Sequence, residues 1–500
     1  MRQFNLGRTV RTLRHLSPGQ ALYYLRRRIA GYSQVKTCKN APAVNQLPSG
    51  VWCPFYVPVK DEWSFDFLNC ELAFADNQID WRPPETSRLW QYHLHYFDYL
   101  QDPARSHSTA RNLINQWIAA NPQGSKPGWE PYPTSLRIVN WVKYFMAYPD
   151  TADQSQLNSL FTQARWLRKN MEYHIRANHY FENIKALLFA GSYFAGEEAK
   201  HWLAFASREL ETQLVEQTLP DGGHYERAPA YHCLMLRNYL EIYELTRADP
   251  TLFSADQLDT LRSKAVSGLE FLHDILLPTQ QFPLFNDSVF NAAPSPQQVA
   301  DYASSLGLPD ARAGDYRLVS RAESGIYGYM TPTDGLLLKC ADIGPPYQPG
   351  HTHCDLLSYE LVLDGKPVVV DSGVFEYAAG SLRNLARSTA AHNTCRVGIA
   401  EQSELWGEFR VGHRARVLAA EAKLENKQWV FGGSFEGFHT IAGRVTHQRK
   451  LTAAPWGGTS ISWTFLLRSR ASTTLSASDW LKMFHCYITL RDYGPVIPAQ

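Results

Sequence analysis

Three short segments within Gly350 to Asn393 hold three His and two Asp. The stretch opens with Gly350-His351-Thr352-His353-Cys354-Asp355, continues to Val370-Asp371-Ser372-Gly373, and ends with Arg387-Ser388-Thr389-Ala390-Ala391-His392-Asn393. Imidazole and carboxylate hold zinc, and imidazole is also the side chain best suited to moving protons near neutral pH. The stretch therefore suits a metal site or a proton-transfer site, with His351, His353, Asp371 and His392 as its candidate members.

Two earlier blocks add complementary chemistry. In Asn178-His179-Tyr180-Phe181-Glu182-Asn183, the amide of Asn178 and a neutral His179 can donate hydrogen bonds to a carboxylate without carrying permanent charge. His179 and Glu182, three apart, share one face if the segment is helical. In Asp221-Gly222-Gly223-His224-Tyr225-Glu226-Arg227-Ala228-Pro229-Ala230-Tyr231-His232, a glycine turn leads into a helix start at Pro229, which places Tyr231 and His232 in the first turn. A tyrosine titrates near 10, so Tyr231 acts as a base only if a cation or donor lowers it. Arg227, His232 or a metal are the candidates for that. Trp129, Tyr132 and Arg137 offer a sugar-stacking face and a carboxylate clamp, and Trp90, Tyr92, His93, His95 and Tyr96 offer the same types again. Each group has a packing alternative: a buried polar cluster, or a core aromatic with its polar atom satisfied.

The elements that must position these side chains differ between the two parts of the chain. From about 85 to 280 the period is helical: Leu157, Leu160, Phe161, Ala164, Leu167 and Met171 recur at steps of three and four, as do Leu258, Leu261, Ala265, Leu269, Leu272 and Ile275. Further helices are expected near 106–120, 134–147, 183–204 and 230–247. Paired helices with short polar turns fit an α/α array, either a solenoid or a closed toroid. After about 310, strand-like runs appear at 336–340, 358–363 and 367–370, the last two joined by the hairpin pair Asp364-Gly365. Runs at 429–436 and 459–467 continue the pattern, which predicts antiparallel sheets packed as a sandwich. The boundary falls near Ser304 to Arg317, giving an extension over 1–84, a helical domain over 85–310 and a β domain over 311–500. A two-residue turn at 364–365 pairs Asp371 with Ser358. A straight strand from there to His353 would separate the two by about 16 Å. A metal shared by His353 and Asp371 therefore requires residues 350–355 to fold back, and Pro345-Pro346 and Gly350 favour such a bend.

Five hundred residues are too many for one core, so two or three domains are expected. Hydrophobic residues at 44% and charged residues at 19% are ordinary for a globular chain. A net charge of +1 gives no support to nucleic-acid binding. The 14 Trp and 26 Tyr suit sugar stacking or large aromatic cores equally. The eight Cys, at 38, 53, 70, 233, 340, 354, 395 and 486, show no metal-type spacing and read as free thiols. The segment Met1 to Tyr32 has Arg at 2, 8, 11, 14, 26, 27 and 28 but no apolar stretch of the signal-peptide kind, so a cytoplasmic location is expected, with the periplasm as the alternative. It reads as a solvated helix face, with contact to an anionic surface as the other reading. No apolar run reaches the roughly 18 residues of a membrane span.

Taken in order, these blocks resemble the heparinase II/III-like polysaccharide lyases, a family that includes alginate and heparan sulfate lyases. The likeness rests on residues 178–183, 220–226 with 229–232, 350–355, 371–373, 387–394 and Trp406-Gly407-Glu408-Phe409, and covers about 85 to 415. It implies a multidomain α and β chain, an incomplete α/α toroid followed by an antiparallel β-sandwich. It implies β-elimination on an acidic, uronic-acid-containing polysaccharide. Asn178 and His179 would then neutralise the uronate carboxylate, Tyr231 would be base, acid or both, and His351 would be the second proton-transfer group. Glu182 would orient His179 or contact substrate. Apart from the resemblance, Trp129, Arg137 and Glu226 are the other candidates for substrate contact. A structural zinc would be held by His353, Asp371 and His392. Some relatives of this type are tied to bacterial exopolysaccharide production. Residues 1–80 and about 468–500 depart from the family pattern. A glycoside hydrolase on the same scaffold is the first alternative; it needs two carboxylates about 5–9.5 Å apart, for which Asp221 and Glu226 are the candidates. A non-catalytic polysaccharide-binding protein is the second.

Overall fold

The structure is a computed structural model. It describes residues 6–48, 50, 61–309, 316–426, 428–441, 444–453, 460–470 and 482–489. Helices alternate between two kinds of burial. Pro131–Ala147, Ala177–Tyr193 and Pro229–Ala248 are buried on nearly every face. Gln154–Lys169, Glu197–Gln217 and Ala255–Ile275, which follow them one by one, bury a single stripe such as Leu261, Ala265, Leu269, Leu272 and Ile275. An inner helix needs apolar residues all round, whereas an outer one needs only the side facing inward. This inner–outer alternation is the incomplete α/α toroid. Its helix starts are set locally: Asp153 with Gln156, Ser254 with Gln257 and Ser295 with Gln298 each form a capping box.

The inner helices also carry charges, and these are matched. Lys143 Nζ lies 2.5 Å from Glu241 Oε1, and Lys185 Nζ lies 2.9 Å from Glu241 Oε2 and 2.8 Å from Glu182 Oε2. Arg237 Nε completes the cluster at 2.9 Å from Glu241 Oε1. Buried charges persist only when paired in this way.

Two expectations about segment limits change. The expected single helix over 183–204 is two, Ala177–Tyr193 and Glu197–Gln217, broken where Gly196 takes φ +95°. The segment before residue 85 is not a separate extension. Phe65, Phe67, Ile79 and Trp81 enter the same core as Trp90, Trp117 and Trp141, and Asn45 N donates to Tyr193 O at 2.8 Å.

The β region holds two five-stranded antiparallel meanders. One runs through Arg317–Arg321, Ile326–Met330, Gly335–Lys339, Tyr359–Leu363 and Lys366–Val369; the other through Arg416–Glu425, Gln428–Gly437, Arg444–Ala453, Ser460–Arg470 and Lys482–Thr489. Alternation along the first sheet explains the architecture. Tyr327, Tyr329, Leu336, Leu338 and Leu361 pack on Trp429, Phe431, Phe435 and Leu451 of the second sheet. Their sequence neighbours Ile326, Met330, Leu337 and Val362 point the other way, into the helical core. The first sheet is thus the shared wall between toroid and sandwich. The last strand lies in the region expected to depart from the family pattern, about 468–500; residues 471–481 and 490–500 of that region fall outside the described residues.

The hairpin at Asp364-Gly365 forms as expected, with Leu363 opposite Lys366 and both turn residues at positive φ. A bulge between Leu361 and Val362 shifts the expected register by one. The segment before the strand does fold back. Leu357 takes φ +61°, and Ser358 Oγ accepts from Asn393 N at 3.0 Å while lying 3.4 Å from Asp371 Oδ2. Among the described residues no helix is long and apolar enough to cross a membrane.

Candidate active site

Two first turns and one loop supply the central side chains. Asn178 and His179 open the helix Ala177–Tyr193, whose entry is forced by Arg176 and Ala177 at positive φ. Tyr231 lies in the first turn of Pro229–Ala248, as the proline predicted. The preceding turn is closely fitted: Gly222 takes φ +88°, and a Cβ there would stand 2.2 Å from the Ser267 carbonyl oxygen. His351 comes from the loop before the strand Tyr359–Leu363. Its ring stacks on Tyr231, with centroids 3.8 Å apart. His179 stacks on Tyr132 at 4.2 Å.

Charges fix the two imidazoles differently. His179 Nδ1 is 3.1 Å from Glu172 Oε1, and Glu172 is itself held by Asn183, whose amide also donates to Ser135. Burial lowers the His179 pKa, but Glu172, through its charge and hydrogen bond, outweighs that and the net shift is upward, with Glu226 and Glu182 adding to it. The ring is thereby biased toward imidazolium. His351 Nδ1 is 2.8 Å from Asp287 Oδ2. Burial would raise the Asp287 carboxyl, yet Arg383 and hydrogen bonds from His351 and His353 hold it well below the usual carboxylate range. An ionised Asp287 accepts the proton on Nδ1, which leaves the lone pair of His351 on Nε2. Arg383 binds Asp287 with both terminal nitrogens and donates to the Glu408 carbonyl oxygen at 3.0 and 3.1 Å, so it is fixed in turn.

Glu226 lies between His351 and His224, whose Nδ1 is 3.7 Å from Oε2. It is buried, neither carboxyl oxygen has a hydrogen-bond partner, and Oε1 is 3.5 Å from His351 Nε2. Burial raises its pKa, Asp287 adds to the rise, and His351 and His179 oppose it. A carboxyl raised above its unfolded value holds an extra proton in the folded state, so its contribution to stability is lost as pH rises through the folded value. Glu226→Gln, which cannot ionise, is therefore expected to gain on the wild type in urea denaturation as pH rises above the ordinary carboxylate range. Parallel stability curves for the two proteins would show that the carboxyl is not held neutral.

Tyr231 is neutral in this setting. Burial raises its hydroxyl well above 10, and Tyr377, Asp287, Glu226 and Tyr132 push in the same direction. The cations expected to lower it are turned elsewhere: Arg227 donates to the carbonyls of Asp342 and Glu323, and His232 Nε2 faces Gly268 O and titrates at about 4 because it is buried. A neutral Tyr231 hydroxyl has a proton to give and is not a ready base.

Several expected site residues lie elsewhere. Arg137 is fully buried, donating to Gln163 Oε1 at 2.8 Å and Gly128 O at 2.8 Å over the Trp117 ring, so it clamps backbone and not a ligand. Trp129 is 4% exposed and packs against Trp117 and Trp166, with Nε1 donating to Asn121 O at 2.9 Å. Trp90, His95 and Tyr96 are core residues as well. Glu182 faces Lys185, and it is Glu172 that holds His179. Asp221 accepts from Ser324 N at 2.7 Å and from Ser324 Oγ at 2.9 Å, which welds the turn to the sandwich and occupies both of its carboxylate oxygens. By contrast, His179 and His351 keep 30% and 11% of their side-chain surface, and Asn178 and Tyr231 are half-buried. Asn178 Oδ1 has no partner.

His353, Asp371 and His392 do converge. His392 Nδ1 lies 2.8 and 3.1 Å from the two Asp371 oxygens, and the His353 and His392 rings are 5.2 Å apart. The donor types suit zinc, and His353 Nδ1 and His392 Nε2 carry no partner. His353 Nε2, however, is committed to Asp287 at 2.6 Å, and among the described residues no group of three or more His, Cys, Asp or Glu is placed to hold a metal ion.

The site thus lies where a toroid joins a sandwich through a shared sheet, with two imidazoles, a phenol and a buried acid at the join. The chain belongs to the heparinase II/III family: residues 23–307 match the heparinase II/III N-terminus and residues 315–462 match the heparinase II/III-like C-terminal region. A heparin-sulfate lyase of Pedobacter heparinus is 24% identical over 385 residues, covering 68% of this chain and 55% of the relative. One from Bacteroides stercoris is 21% identical over 379 residues, covering 63% and 55%. The chain thus spans about half the length of these curated relatives. Among solved structures, a heparinase III superposes with TM-score 0.62 at 16% identity, covering 91% of this chain and 78% of the other, and a second heparinase III gives 0.55 at 16%, covering 94% and 80%. These two establish the likeness of fold.

Proposed function

We propose that the chain is a polysaccharide lyase that cleaves a uronic-acid-containing polymer by β-elimination. The observation that carries this is the asymmetry of the two imidazoles: His179 is held toward the charged form by Glu172, and His351 is held by Asp287 with its lone pair outward. The first offers a cation to a uronate carboxylate, helped by the Asn178 amide. The second offers a base to the C5 proton. As that proton passes to His351 Nε2, charge moves into the carboxylate, where fixed donors are worth about 3–4 kcal/mol each. The C4–O4 bond then breaks, the C4=C5 double bond forms, and Tyr231 gives its hydroxyl proton to the departing O4. No water is consumed and no nucleophile is required. Glu226 as a neutral acid would add a further donor beside the carboxylate. The names of the relatives, heparin-sulfate lyases, support an acidic polysaccharide as substrate.

The test is ultraviolet absorbance during incubation with alginate, heparan sulfate, hyaluronan, chondroitin and bacterial exopolysaccharides. A rising signal from the unsaturated uronate is expected with one of them. New reducing ends without that signal would mean a hydrolase, and binding without either would mean a non-catalytic role. The commitment of Asp221 to Ser324 argues against the hydrolase. On the zinc reading, His353, Asp371 and His392 hold a structural ion. Metal analysis of the purified chain then gives about one zinc, lost in His392→Ala. A metal-free and folded native chain removes that reading. The link to exopolysaccharide production and the cytoplasmic location stand with this proposal and are tested by the same substrate panel and by cell fractionation.

A further inference from the structure

The helices Leu6–Leu13 and Pro18–Ala30 have their amphipathic character turned outward. Their polar sides face the protein. Arg11 pairs with Glu404 at 2.7 and 2.9 Å, and Trp406 Nε1 donates to Thr12 Oγ1 at 3.0 Å. Gln20 donates to Tyr347 O at 3.3 Å, and Arg27 donates to Asn170 O at 2.9 Å. Their apolar sides face solvent: Leu6, Val10 and Leu13 are 66%, 56% and 50% exposed, and Leu22, Leu25 and Ile29 are 66%, 55% and 77% exposed. The spacings, three and four residues, make one stripe on each helix. Arg14, Arg26 and Arg28 are exposed beside the stripes. Residues 1–60 contain Arg2, Arg8, Arg11, Arg14, Arg26, Arg27, Arg28, Lys36, Lys39 and Lys60 and no Asp or Glu, although the whole chain is only +1.

Apolar stripes of this kind, left facing water, mark a surface that something covers. The cover must take up Leu, Val and Ile and must also meet unopposed arginines. An acidic polysaccharide or a nucleic acid supplies only the negative charge, with no apolar phase. A second copy of the chain supplies only apolar surface and brings Arg14, Arg26 and Arg28 against their like. A bilayer surface with anionic phospholipid supplies both. We propose that these two helices dock the chain on a membrane surface rich in anionic phospholipid, the stripes entering the headgroup boundary and the arginines meeting the phosphates. They lie on the bilayer and do not span it. The loops that receive them, at Tyr347 and Glu404 to Trp406, adjoin the Glu408 carbonyl that fixes Arg383, so docking would hold the candidate active site beside the membrane. This holds whether or not the site cuts polysaccharide.

The test is co-sedimentation of the full chain with vesicles of phosphatidylcholine alone and of phosphatidylcholine mixed with phosphatidylglycerol. The wild type is expected to pellet with the mixed vesicles and not with phosphatidylcholine, and to be released by salt. The triple variant Leu22→Glu, Leu25→Glu and Ile29→Glu should bind at least about tenfold more weakly. Arg14→Gln, Arg26→Gln and Arg28→Gln together should weaken partitioning roughly 100-fold. Thermal melting of both variants checks that the exposed substitutions leave the fold intact. A wild type that stays in solution with mixed vesicles overturns the proposal. So does a Leu/Ile variant that pellets like the wild type, which would leave charge attraction alone. So does a lipid-free dimer in light scattering that dissociates in the Leu/Ile variant, which would make a second copy the occupant.

Discussion

Tyr231→Phe is expected to lower turnover about 10²–10⁴-fold while the chain stays folded and still binds polymer. The substitution removes one oxygen and keeps the ring that stacks on His351 at 3.8 Å. The stack, and with it the orientation of His351, survives. On the proposed mechanism, what goes is the proton that the departing O4 receives, and the surroundings of the hydroxyl favour its protonated form. Burial and the neighbouring Tyr377, Asp287, Glu226 and Tyr132 all favour the neutral phenol, so Tyr231 arrives at the reaction protonated. Rates of unsaturated-product formation for the variant and the wild type, alongside retention on immobilised polymer, make the measurement. Full activity in Tyr231→Phe would remove the hydroxyl from the mechanism. A joint loss of binding and turnover would make Tyr231 a packing residue instead.

The outer features of this site were legible in the sequence because they depend on local rules. Pro229 marks a helix start, which puts Tyr231 in the first turn. Asp364-Gly365 marks a hairpin, which brings Asp371 back toward Ser358 and Asn393. Asn178 and His179 precede an apolar run of helical length. The supporting residues were not legible. Glu172, Asp287 and Arg383 lie 7, 64 and 96 residues from the partners they hold, and nothing in Phe285-Asn286-Asp287-Ser288 distinguishes a buried anchor from a loop aspartate. Glu182 at helical spacing from His179 was the more natural partner, yet the inner helix turns it toward Lys185 and the charged centre of the toroid. Arg137 and Trp129 failed as a clamp and a platform for a related reason. Residue type marks a side chain able to bind sugar or carboxylate equally well when it faces inward, and a toroid of this size has a large aromatic interior to fill. The exposed stripes on the first two helices were hidden too. Periodicity shows that a helix has an apolar side, not which way the side faces.

Asp287 is the residue on which the greatest structural loss is expected. Its two oxygens receive Arg383, His351 and His353, all three in the sandwich half, while its backbone lies on the segment leading out of the toroid. Tyr377 donates to its carbonyl oxygen at 3.1 Å. Asp287→Ala leaves the fully buried Arg383 without its counter-charge, and breaking a buried pair by removing one partner costs about 3–5 kcal/mol. Urea denaturation should show that loss as a lower midpoint with an unchanged slope. Asp287→Asn separates the two duties of the carboxylate. The amide keeps the volume, and its oxygen can still accept from Arg383, so it should fold better than the alanine variant. Its NH2 group, however, can donate to His351 Nδ1, which moves the ring proton to Nε2 and leaves no lone pair facing the site. The expectation for Asp287→Asn is therefore a turnover lower by about 10²–10⁴-fold in a chain that melts cooperatively. An active, folded Asp287→Asn would show that the tautomer of His351 is immaterial and would move the base elsewhere, with Glu226, 3.5 Å from the same ring nitrogen, as the next group to remove.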